Sequence, residues 1–118
     1  MNVLLLDLIP IILREVQLVN PSGIALGFDR GPIFERTIQE EKLTLNKGDR
    51  LVAYTDGVVE SMNAKRDEFG DKRFYTLVQQ MATRESAQFV GFVAKVLDDH
   101  KGDAPQHDDI TIVTVRRL

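Results

Sequence analysis

Three carboxylates stand out for where they sit in the chain. Asp56 follows the apolar, strand-forming run Leu51-Val52-Ala53-Tyr54 and precedes Gly57, while Asp108-Asp109 precede a second such run, Ile110-Thr111-Ile112-Val113-Thr114-Val115. A carboxylate at the end of a strand is held by a rigid sheet yet stays reachable by solvent. That placement suits it to ligate a hard cation such as magnesium or manganese. Gly57 lets the backbone pass close to such a site with no side chain in the way. A second role stays open for Asp56, that of capping a helical turn at 58–63. His107, beside the aspartate pair, invites a metal or acid–base role, although a lone loop histidine is more often only a polar neighbour.

The elements that must position these groups follow from periodicity and from turn residues. Gly48-Asp49 reads as a tight turn into a short buried strand at 51–54. Residues 1–6 and 9–13 are continuous runs of leucine, isoleucine and valine, as expected of central strands covered on both faces, with a helix as the competing assignment for 1–8. Asn20-Pro21-Ser22-Gly23 is a turn cluster, the glycines at 23 and 27 suggest close backbone approach, and Arg30-Gly31-Pro32 breaks the chain again. Residues 33–39 and 42–45 are expected as strands, and 64–68 as an exposed polar loop. Phe74, Leu77, Val78 and Met81 recur at helical spacing from Asp71, and Phe89, Val90, Val93, Val96 and Leu97 do so from Ser86; Asp71 and Ser86 are the expected caps. Residues 100–107 form a breaker-rich loop into the last strand.

Composition bounds what such a chain can be. With 118 residues and 43% hydrophobic content it fits one small domain, 1–118, able to build a core. The net charge of −3, with lysine and arginine scattered in pairs, argues against a nucleic-acid footprint. There is no cysteine, hence no disulfide framework and no thiolate zinc site, which suits a reducing, cytoplasmic setting. The apolar opening lacks the basic start and cleavage site of a signal peptide, and Asp7 and Pro10 interrupt it short of the roughly 20 residues a membrane span needs.

Taken in order, Gly23-Ile24-Ala25-Leu26-Gly27, the run from Gly48 through Thr55-Asp56-Gly57 to Glu60, Phe69-Gly70, and Asp108-Asp109-Ile110-Thr111-Ile112-Val113 resemble the metal-dependent protein phosphatase (PPM) family. The match is to its bacterial branch, typified by the sporulation stage II protein E phosphatases and the stress-response regulators that act on anti-sigma-factor antagonists. The resemblance implies an α+β fold, mainly antiparallel sheet as part of a PPM-type sandwich, packed with two helices. It also implies a dinuclear manganese or magnesium centre that activates water to hydrolyse phosphoserine or phosphothreonine. Carried over by position, Asp56 and Asp108 correspond to metal ligands, and Asp109 supports the site from behind alongside Gly57. No residue corresponds to a direct catalytic group.

The departures are as informative. The family's Asp-x-x-Gly-His-Gly motif occurs nowhere in the chain, the family domain is much longer, and the residues usual before Phe69-Gly70 appear as Arg66 and Asp67. The expectation is therefore the carboxyl-terminal portion of such a domain, inactive alone for want of half its ligands; the competing expectation is a non-catalytic interaction or regulatory module. A phosphoprotein such as an anti-sigma-factor antagonist is the expected substrate of the complete enzyme. The strand-rich opening, poor in charge, further suggests a homodimer.

Overall fold

Alternation along Arg50-Leu51-Val52-Ala53-Tyr54 builds the strand on which the molecule is assembled: residues 50, 52 and 54 are buried on one face, while 51 and 53 are half-buried on the other. The structure, a computed structural model, describes residues 2–7, 15–19, 32–37, 39–40 and 42–118. Along the chain these residues form β1 (Asn2–Asp7), β2 (Glu15–Val19), α1 (Pro32–Thr37), β3 (Arg50–Tyr54), α2 (Asp71–Met81), α3 (Ser86–Lys101) and β4 (Ile112–Arg116). The strands make one antiparallel sheet in the order β2-β1-β3-β4. The expected α+β class, with two long helices on an antiparallel sheet, is what the chain adopts.

Both long helices are seated by apolar stripes. Phe74, Leu77 and Val78 of α2 and Phe89, Val93 and Leu97 of α3 are buried with Leu4, Val52 and Tyr54 from the sheet in one core. Burying each such side chain stabilises by roughly 1.5–3 kcal/mol, well beyond what helix propensity supplies. The Tyr54 and Phe74 rings meet at 4.6 Å and 55°. Val96 packs only at the margin of this core, and Val90, expected on the buried stripe, is exposed. Acidic Asp71 in the first turn of α2, and His100 and Lys101 in the last turn of α3, suit the helix dipole. Gly102, at a φ of 55°, closes α3 with its N–H donating to the Asp98 carbonyl at 2.9 Å.

Several sequence-based expectations are corrected. Residues 32–37 are helical rather than part of a strand over 33–39; Pro32 supplies the fixed φ that suits a first helical position. Residues 42–45 are irregular, held by main-chain capture such as the Arg117 guanidinium donating to the Leu45 carbonyl at 2.6 Å. Asp71 and Ser86 are each the first helical residue, with Gly70 and Glu85 as the capping positions. His100 belongs to α3, not to a loop, and the helical turn considered for 58–63 lies earlier, as turns over 56–60, with Met62 in a bridge to Glu68. The opening strand has neighbours on both edges, and among the described residues α2 and α3 pack on the face of Leu4, Val52 and Tyr54. Strand β2 had not been anticipated, and the expected strand at 9–13 and the glycine-flanked segment at 23–27 lie outside the described residues.

Candidate functional site

β3 and β4 run antiparallel with Tyr54 opposite Ile112, so the loop leaving β3 and the loop entering β4 meet at one end of the sheet. Thr55 joins them. Its N–H donates to the Thr111 carbonyl at 3.1 Å, its hydroxyl donates to the Asp109 carbonyl at 3.2 Å, and that hydroxyl oxygen accepts the Thr111 N–H at 3.0 Å. The next residue but one, Gly57, is buried against the same segment: a Cβ built on it would stand 2.3 Å from the Asp109 carbonyl oxygen and 3.6 Å from the Asp108 Cβ. A side chain at 57 has no room there, so close approach requires glycine.

Asp56 and Asp108 therefore sit on adjoining loops although 52 positions separate them (108 − 56). Both are exposed. The Asp56 carbonyl accepts the Glu60 N–H at 2.9 Å, which tightens the turn behind it. The Asp108 carboxylate accepts the N–H of Asp109 at 2.8 Å, and its carbonyl accepts from the Gln106 amide at 2.9 Å. Asp109 enters this network through its main chain. Two hollows open beside the loops, one of about 380 Å³ bordered by Asp56, Tyr54 and Asp71, the other of about 260 Å³ bordered by Asp108, His107 and Lys101. Glu60 and Glu68 line both. Neither glutamate was named as a site residue from sequence, although Glu60 closes the run that carries Asp56.

The electrostatics limit what this end of the sheet can do. Burial, and after it the neighbouring Tyr75 hydroxyl, pushes the Tyr54 phenol well above its ordinary range. Tyr54 thus stays protonated and acts as packing and hydrogen-bonding surface rather than as a base. Among the described residues no group of three or more histidine, aspartate or glutamate side chains converges to hold a metal ion. Asp56 and Asp108 offer hard oxygen donors from two adjoining loops, but among the described residues they do not complete a metal site.

The rim of the hollows is pinned by a histidine. In the 61–69 segment, Asn63 accepts the N–H groups of Lys65 and Asp67 at 2.9 and 3.0 Å, and Met62 bridges Glu68. His100 reaches this segment from the end of α3. A guanidinium can only donate, so Arg73 donates to His100 Nδ1 at 3.1 Å. Nε2 then carries the hydrogen and donates to the carbonyls of Ser61 and Asp67 at 3.1 and 3.0 Å. Arg73 also stacks 4.4 Å over Phe69, whose ring meets His100 edge-on at 5.4 Å. Replacing His100 by alanine should free the segment locally. Amide exchange at Asn63, Arg66 and Phe69 is expected to accelerate roughly tenfold while the amides of α3 hold their protection. Unchanged exchange at these three amides would show that the histidine pins nothing.

The sequence model of the Stage II sporulation protein E (SpoIIE) family matches residues 8–118. Protein IcfG of Synechocystis sp. is 29% identical over 111 residues, covering 88% of this chain and 17% of that one. The solved SiaA-PP2C domain of Pseudomonas aeruginosa superposes with a TM-score of 0.66 at 21% identity, over 97% of this chain and 42% of that chain. The chain thus spans less than half the length of either protein, and the structural likeness establishes a shared fold. No helix among the described residues is long and apolar enough to cross a membrane. With the family match running across nearly all of its length, this chain belongs to the Stage II sporulation protein E (SpoIIE) family.

Proposed function

We propose that this chain supplies part of the centre of a cytoplasmic, metal-dependent protein serine/threonine phosphatase and is inactive by itself. Asp56 and Asp108 are the ligands it brings toward manganese or magnesium. Gly57 and Asp109 hold their loops together, and a phosphoprotein such as an anti-sigma-factor antagonist is the substrate of the complete enzyme. The observation that carries this reading is the seating of Gly57 against the Asp109 carbonyl, which sets the two aspartate loops side by side at the open end of the sheet. A pair of metal ions would supply an activated water and neutralise the phosphoryl oxygens. Such a pair needs more carboxylates than these two. A second reading, a non-catalytic interaction module that keeps the fold, is favoured by the absence of a third converging ligand among the described residues.

The chain with millimolar manganese is expected to give no turnover of p-nitrophenyl phosphate above buffer. Calorimetric titration should nevertheless detect weak manganese binding, lost in Asp56→Asn. Turnover abolished by Asp56→Asn would overturn the inactivity, and no manganese binding at all would favour the interaction module.

A further inference from the structure

The helices α2 and α3 run antiparallel, since His100 near the end of α3 meets Arg73 in the first turn of α2. Side by side they leave an open groove of about 520 Å³. Its apolar lining is Phe69, Leu77, Phe92 and Val96. Phe92 and Val96 stand one above the other on α3 at i, i+4 spacing, and Phe92 is 42% exposed. None of these residues borders the hollows beside Asp56 and Asp108. An exposed apolar strip with a polar rim marks a place of contact with another molecule.

The charge of the rim selects the partner. Both charged side chains of the lining are cations, Lys72 and Arg73, while Thr76 and Gln80 are neutral. The carboxylates of the two helices are directed elsewhere. Asp71 borders the hollow beside Asp56, Asp99 is ion-paired with Lys95 at 2.7 Å, and Asp98 stands two positions from Val96, on another side of α3. Glu85, ahead of α3, does not line the groove. Arg73 is already set in place: it stacks 4.4 Å over Phe69 and gives one N–H to His100. A guanidinium carries further N–H donors in a planar fork, the shape that grips a carboxylate through two hydrogen bonds. Among the described residues neither Arg73 nor Lys72 has a carboxylate partner in an ion pair.

We propose that this groove docks an acidic amphipathic helix of a partner protein. Two antiparallel helices leave a furrow in which a third can nest, with apolar side chains at i, i+3 and i+4 on Phe92, Val96 and Leu77. A glutamate or aspartate beside that stripe is gripped by Arg73, with Lys72 next to it. A small molecule would leave too much of itself in water in so open a groove. A second copy in two-fold contact would bring the same cationic rim to its equal. An anionic membrane would meet a recess and only two cations.

The test is selection, on the folded 118-residue protein, from a displayed library of helices about 18 residues long, five turns. Each carries one leucine stripe, with glutamine, lysine or glutamate at the flanking positions. Glutamate is expected to dominate the retained flanks. Binding of a retained peptide should weaken at least about tenfold in Phe92→Ala and in Arg73→Gln, about two- to fivefold in Lys72→Gln, and stay unchanged in Val90→Ala, which is exposed on α3 outside the lining. No retained helix, lysine in place of glutamate, or binding indifferent to the Phe92 and Arg73 variants would overturn the proposal. So would sedimentation of the chain with phosphatidylglycerol vesicles, or self-association, if either is lost in Phe92→Ala, since the groove would then serve a membrane or a second copy.

Discussion

An Arg50→Ala protein is expected to lose on the order of 3 kcal/mol of stability, a large part of the roughly 5–15 kcal/mol that a folded domain commonly possesses. Arg50 lies in β3 with its side chain fully buried. Its Nε donates to the Ala82 carbonyl at 3.0 Å, one Nη to the Thr114 and Ser86 hydroxyls at 2.8 and 3.4 Å, and the other to the Arg84 carbonyl. The guanidinium also lies 4.6 Å over the Phe89 ring. None of these contacts is to a carboxylate. The charge is held by dipoles at the carboxyl-terminal end of α2 and in the turn beyond it, where partial negative charge accumulates. Burial, and after it the nearby Arg116, lowers the Arg50 pKa, yet a guanidinium remains charged at any physiological pH.

Removing that side chain strands the buried Ala82 carbonyl at about 1–3 kcal/mol and opens a void beneath Phe89. It also unties the α2–α3 connection from the sheet. Lysine should recover only part of the loss, because a single ammonium cannot fork to β4, α3 and the end of α2 together. Urea unfolding at one fixed protein concentration is the appropriate measurement, since association would add to apparent stability. The midpoint should fall by more than about 1 M with the slope unchanged. A loss under 1 kcal/mol would mean that the cation over Phe89 and its carbonyl contacts contribute little.

Gly57→Ala is the second large effect, and it acts through space rather than backbone conformation. Gly48, Gly70 and Gly102 hold positive φ, and Gly57 does not. The obstruction at 57 is a main-chain carbonyl, with the oxygen and carbon of Asp109 2.3 and 3.0 Å from the added methyl. A carbonyl in a hydrogen-bonded segment cannot swing aside as a long side chain can. The loops carrying Asp56 and Asp108 must therefore separate, straining the Thr55 hydrogen bonds between them. Overpacking of this kind costs about 1–3 kcal/mol, which for 118 residues lowers Tm by about 5–15 °C. Gly91→Ala is the matched control, because its methyl meets nothing within 4 Å and lies inside α3. It should raise Tm by a few degrees, since alanine is the better helix former by roughly 0.5–1 kcal/mol. A Gly57→Ala protein that melts with the wild type would remove the steric basis for the joined loops.

Period is a local property, and where it decided an element it was legible. The strand ending at Tyr54, the helices carrying Phe74 and Phe89, and the turn at Gly48-Asp49 all follow from residue spacing and turn chemistry within a dozen positions. The alternation Glu15-Val16-Gln17-Leu18-Val19 carried the same signal for β2. Residues 32–37 misled because Ile33 and Phe34 suit a strand, whereas the proline before them is preset for a helix start. At the helix starts, Asp71 and Ser86 each proved to be one residue inside the helix they were expected to cap.

Spacing cannot name a partner across the chain. That Asp56 and Asp108 share one end of the sheet follows from the antiparallel pairing of β3 with β4, and the space that demands glycine at 57 exists only once Asp109 has docked there. Arg50 read as a polar residue beside a turn; its burial appears only when the end of α2, α3 and β4 converge on it. Alternation in Ile112-Val113-Thr114-Val115 shows that β4 has two faces. Which of them receives the α2–α3 pair is decided by the long-range burial of Phe74, Phe89 and Val93 with Leu4, Val52 and Tyr54.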